Sequence, residues 1–215
     1  MRKHIRHRLA TAILLLAVTS LHVATAYGQD TRPPQDSTTA HQRFKGTEID
    51  GTPGEFIARL NQNGFGGTVT EDPSTKKTHI TGTFAGCKVR TQLLTTPISG
   101  TVYGVISHLE HKGSFEDAYG DFSMFCDNLT AVYGNPDMKN ETFENPYRRG
   151  DGYSIRALRE GKAKFAALWN TPCGIVVISI VADSTNAACL MITYTDGIGD
   201  KLNRDEKTQI IRRDL

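Results

Sequence analysis

The 215-residue chain contains no C-x-x-C pair, G-x-S-x-G elbow, H-E-x-x-H helix or P-loop. Those absences leave thioredoxin-like redox chemistry, the α/β-hydrolase nucleophile, the common zinc-peptidase site and the phosphate-cradling loop without support. No apolar run reaches the roughly 20 residues a membrane-spanning helix needs. The longest, over 9–21, is interrupted at Ser20 and closed by His22. An excess of one charge is missing too, with 25 Lys and Arg against 23 Asp and Glu. A chain so nearly neutral has no global footprint for nucleic acid, and any charged partner must be met by a local patch.

The start of the chain carries an address. Arg2, Lys3, Arg6 and Arg8 precede the short apolar run, and Ala24-Thr25-Ala26 supplies small residues for cleavage. Residues 1–26 thus read as a signal peptide, and the expected location is periplasmic or secreted. No Cys follows to accept a lipid, so neither anchor nor membrane span is expected. Removal of four basic residues leaves 21 Lys and Arg against 23 Asp and Glu, a formal charge of −2. Residues 27–43 are polar and rich in Pro, Ser and Thr, which predicts a flexible leader.

From residue 44 onward the spacing predicts one α+β domain. A short strand over 44–49 is followed by Thr52, Pro53 and Glu55, the signature of a capped helix, with Phe56, Ile57 and Leu60 on its apolar face. Short β-rich runs follow over 65–71, 78–84, 87–94 and 101–108, joined by links too short for parallel crossovers. Ser114 and Asp117 open a second helix, on which Phe115, Ala118, Phe122, Phe125, Leu129 and Val132 recur at spacings of three and four. Cys126 lies on the same stripe and is expected to be buried. Residues 138–152 read as a polar excursion, and strands are predicted over 153–159, 162–170, 174–182 and 188–194. The run 175–181 is apolar on both faces, which predicts a strand buried on both sides. Asn203 with Glu206 predicts the cap of a final helix, and 196–200 a turn before it. The two halves, 44–112 and 113–215, share one grammar: a helix, then about four antiparallel strands, with helices on one face of the sheet.

The phrases Phe44-Lys45-Gly46, Ile49-Asp50-Gly51-Thr52 with Phe56, Gly82-Thr83-Phe84-Ala85-Gly86, Tyr133-Gly134-Asn135-Pro136, Thr193-Tyr194-Thr195-Asp196 and the terminal Asp214-Leu215 form a series. It resembles a family of uncharacterised exported proteins of gut-dwelling Gram-negative anaerobes, which open on an FKG-x-x-IDGT phrase and close on an acidic-Leu tail. The resemblance implies no catalytic residue, because its motifs are caps, turns and strand ends. In architecture alone, the doubled plan is similar to the periplasmic proteins that inhibit β-lactamases, and each half to small outer-membrane assembly lipoproteins. That likeness implies a binding module.

One constellation points to a surface. Period-two alternation separates Lys88 and Arg90 from Val89, and Lys162 and Lys164 from Phe165. With helices on the apolar side, Lys88, Arg90, Arg156, Lys162 and Lys164 are expected on the opposite face, where they would meet a protein, peptide or glycan partner. A small hydrolase or glycan-active enzyme, its site assembled from His108, His111, Asp183 and Asp196, is the rival reading. The cluster His108-Leu109-Glu110-His111 ends a strand and is not expected to hold a metal, and no cofactor is expected. The four cysteines, Cys87, Cys126, Cys173 and Cys189, enter an oxidising compartment, where Cys87 with Cys126 is the expected pair if one forms.

Overall fold

The computed structural model describes residues 40–71, 77–110, 113–183, 185 and 187–215. The signal peptide and the leader up to residue 39 lie outside the described residues, as does His111. The leader's last three residues belong to the folded body instead. Gln42 is buried, and its backbone N–H donates to Asp196 Oδ1 at 2.7 Å.

The chain then folds into a hairpin, β1 (Arg43–Phe44) and β2 (Thr47–Glu48), where a single strand was expected. Lys45 and Gly46 hold φ of 48° and 73°, the paired positive values that reverse a chain in two residues. Thr52 and Glu55 form the anticipated capping box on α1 (Pro53–Gln62), with Phe56 and Leu60 buried and Ile57 half-buried. The strands β3 (Thr68–Glu71), β4 (Thr78–Phe84), β5 (Cys87–Thr95) and β6 (Val102–Leu109) follow, each antiparallel to the one before. A second capping box, Ser114 with Asp117, starts α2 (Phe115–Tyr133). Six of its residues are buried, Cys126 among them, but Val132 is 71% exposed because the stripe drifts off the sheet before Gly134 stops the helix.

The second half departs from expectation at three places. The polar excursion contains β7 (Met138–Phe143), an edge strand paired with β8 (Ala163–Thr171); an edge position buries little, so Met-Lys-Asn-Glu-Thr-Phe carries no apolar alternation to announce it. Residues 153–159 are not a strand but mostly α3 (Ser154–Arg159): Ile155 and Leu158, three apart, pack on the core beside buried Ala157. After β9 (Gly174–Ala182) and β10 (Ala188–Asp196), α4 (Gly197–Asp214) begins seven residues earlier than a cap at Asn203 predicts. Its cap is Asp196, which accepts from Gly199 N at 2.7 Å. Asn203 and Glu206 mimic a cap in sequence because they share one helical face, and that face is buried.

Eight strands join in the order β3-β4-β5-β6-β10-β9-β8-β7, with all neighbours antiparallel. The two four-stranded halves meet where β6 pairs with β10, the last strand of each. Cross-strand partners share a face, so the register sorts every side chain. Val89, Val105, Ile192, Ile178 and Phe165 point to the helix side and belong to one core with Phe56, Phe122 and Phe125. Burying an apolar side chain of that size contributes about 1.5–3 kcal/mol, so this layer holds the sheet to its helices. α4 crosses the strand ends: Gly199 leaves no room for a Cβ beside Tyr103, and the Glu206 carboxylate accepts from Ile98 N at 2.6 Å and Ser99 N at 3.2 Å.

Candidate functional site

Apart from Cys189, which pairs with Val181 and is 2% exposed, the other face of the sheet contributes nothing to the described core. One row across it runs Gln92, Ile106, Thr193, Val177 and Leu168, and the next runs Arg90, His108, Met191, Ser179 and Ala166. Most are half-buried by their neighbours in the sheet alone, and Met138 and Ile175 at the margins are exposed. Strand β9 shows the discrepancy best. It lies inside the sheet, as its apolar run predicts, yet among the described residues it is Val176, Ile178 and Ile180 that are covered; Ile175, Val177 and Val181 face outward.

The five expected basic residues are not brought into one patch. Lys88 and Arg90 alternate with buried Val89 on β5 and stand exposed on the outer face. Lys164 does the same on β8. Four strand steps separate β5 from β8, roughly 19 Å. Lys162 precedes β8, and its Nζ meets Glu144 at 3.0 Å while Lys164 Nζ meets the same carboxylate at 2.6 Å. Hydrogen bonds from Lys164 and then Lys162 hold Glu144 below the ordinary carboxylate range. Arg156 is displaced from the sheet altogether, because its segment is α3; its guanidinium pairs with Glu160, one turn on. No described acidic side chain, by contrast, closes an ion pair with Lys88 or Arg90.

Cys87 and Cys126, the pair expected if a bridge forms, stand as free thiols here, as do Cys173 and Cys189. Cys87 opens β5 beside Asp121, lining a surface cleft of about 450 Å³ with Lys88, Leu109 and Glu110. Burial and then the Asp121 charge push its thiol up, away from reactivity. Cys126 instead sits near Lys139 of β7, toward the opposite edge of the sheet.

The residues of the enzyme reading are scattered. Asp183 lies just past β9, where it accepts from Thr185 N, and Asp196 closes β10 at the far end of that hairpin. Eight residue steps part the ends, roughly 27 Å. Asp196 is fully buried and its bonds tie the chain together: Gln42 N, Gly199 N and His41 Nδ1 at 3.0 Å. His108 stands on the outer face in the row of Arg90. Among the described residues no group of three His, Cys, Asp or Glu is arranged to hold a metal, and no helix is long and apolar enough to cross a membrane.

Sequence reasoning missed the apolar stripe of Ile106, Met191, Val177 and Leu168. Its signal was present in the two-sided apolarity of 175–181, which was read as burial within the chain. No protein-family model matches this chain, and no curated protein or solved structure matches it either.

Proposed function

We propose that this is an exported, non-enzymatic binding module, periplasmic or secreted after signal-peptide cleavage, whose open sheet face engages an envelope or extracellular partner. The uncovered outer side of β9 carries the reading. A strand apolar on both faces is built for cover on both faces, and the described residues supply it on one. Leu168, Ile106 and Met191 widen Val177 into a contiguous surface spanning four strands. Contiguous apolar surface rimmed by polar residues marks an interaction site, and the rim here is Lys88, Arg90, Gln92, Asn140 and Asn170. A small hydrolase is disfavoured by the separation of His108, Asp183 and Asp196 over three parts of the molecule.

A photo-crosslinking residue at Ser179 on β9 should capture a partner in extract of the source cell's envelope, and one at Asn128, on the exposed side of α2, should not. Val177→Glu should abolish capture from Ser179 while the melting temperature holds. Equal capture from both positions, or capture indifferent to Val177→Glu, refutes the reading.

A further inference from the structure

The two cationic ends of the open face differ in one respect. Lys162 and Lys164 close on Glu144, so that end is neutralised within the chain. Lys88 and Arg90 have no described acidic side chain within ion-pair distance, although Glu110 stands at the end of the next strand, its backbone N–H on Lys88 O at 2.9 Å. Most other described cations near a sheet edge or helix are paired: Arg43 with Glu48, Arg59 with Asp50, Lys139 with Glu141, Arg149 with Glu116. Two adjacent charges left unmatched on the rim of an apolar surface are the complement of carboxylates on something else.

In the two rows of this face given above, the one ring is the imidazole of His108. Phe165, Trp169, Tyr194 and Phe84 all turn to the helix side, where they pack on one another or on the core. A single imidazole makes no run of aromatic platforms for successive nucleic-acid bases. Sugar rings are equally without a flat apolar partner. The face spans eight strands, roughly 34 Å, and roughly 24 Å along them, about 800 Å². That is the area one partner contributes to a standard protein–protein interface.

We propose that the occupant is a protein segment that sets carboxylates against Lys88 and Arg90 and apolar side chains against Met191 and Val177. The proposal rests on the open-face reading above and names its partner. Bringing carboxylates to β5 steers the encounter and fixes register, while the stripe from β6 to β8 supplies the desolvated centre. The acidic–apolar polarity also sets direction: the partner's charged end lies over β5 and its uncharged part over β9 and β8.

The test uses full-length protein carrying the photo-crosslinking residue at Thr81, beside Arg90 on the next strand, in extract of the source cell's envelope. Sequencing the crosslinked fragment should return a peptide with Asp or Glu at or next to the attachment point. The double variant Lys88→Glu, Arg90→Glu should reduce capture about tenfold, and added salt should do the same to the wild type. The pair Lys88→Gln, Arg90→Gln should fall between. A glycan, a lipid or a second copy of this chain at Thr81 overturns the proposal, as does a peptide without carboxylates or capture unmoved by charge reversal. Those results leave capture from Ser179 intact, so the open face would still bind. Failure at Ser179 as well removes the broader reading with it. Melting curves of each variant, expected to overlay the wild type, exclude unfolding as the cause.

Discussion

The halves of this molecule follow one plan and reach different degrees of cover. α1 has 10 residues and α2 has 19, about 15 and 28 Å of helix. The longer helix lies over β8, β9 and β10, whose inward side chains alternate strictly with outward ones. The shorter leaves β3 with all four residues exposed. The first half makes up the deficit with rings: Phe44 stacks on Phe84 at 4.7 Å, and Phe65 lies so close to Gly82 that a Cβ there would enter its ring. Helix length thus sets how much sheet a repeat of this grammar buries, and aromatic plugs complete what a short helix cannot reach.

The contrast breaks most sharply at single residues. Trp169 is 1% exposed and donates its Nε1–H to Gly134 O at 2.9 Å, so Trp169→Ala should cost about 3–5 kcal/mol in urea unfolding. Val69→Ala on β3 should stay within about 0.5 kcal/mol. Similar losses at the two sites would erase the distinction. Gly82→Ala should cost about 1–3 kcal/mol, since the new methyl displaces Phe65 from its seat. A Phe65→Leu background that softened this cost would sharpen the assignment to that ring. Where the halves are alike they should respond alike: Ser114→Ala should remove about 1 kcal/mol, and Thr52→Ala a comparable amount, because both helices start on the same reciprocal box.

Acid should act through α4, the element without a counterpart in the first half. Burial raises the Glu206 pKa, but hydrogen bonds from Ser99, Ile98 and Thr96 outweigh it and leave the group below its ordinary 4.5. A carboxyl depressed on folding stabilises fully above its unfolded value and loses that contribution as pH falls through the folded one. Glu206→Gln should therefore flatten the decline in melting temperature below about pH 4.5 while lowering it at neutral pH. The smallest effect is expected at Arg90→Glu, an exposed position that meets no described acidic side chain, where thermal stability should be nearly unchanged. Marked unfolding there would mean that β5 does not present Arg90 to solvent.

Much of this was legible in residue order. Thr52-Pro53-Gly54-Glu55 and Ser114 with Asp117 announced their helices because caps are local chemistry, made within one turn. Cys87 to Thr95 and Ala163 to Thr171 announced their faces because alternation of period two is geometric. Silent segments were those whose partners are remote. β7 has almost no apolar pattern since an edge strand needs only β8 beside it. α3 reads as a strand because Tyr153, Ile155 and Ala157 alternate, and only the packing of Ile155, Ala157 and Leu158 on the core selects the helix. Asn203 and Glu206 looked like a cap until the loop at Ile98 and Ser99 explained their burial.

By itself, then, the sequence determined what is settled within a turn of helix or along one strand: the capped starts of α1 and α2, the antiparallel class of the sheet, and which side of β5 and β8 carries charge. Only the tertiary structure decided that β6 meets β10, that Lys164 and Lys162 share Glu144 while Lys88 and Arg90 meet no described acidic side chain, and that the described residues leave one side of β9 open. Strand order, ion pairing and cover depend on residues dozens of positions apart, and their energies appear only once the chain has brought those residues together.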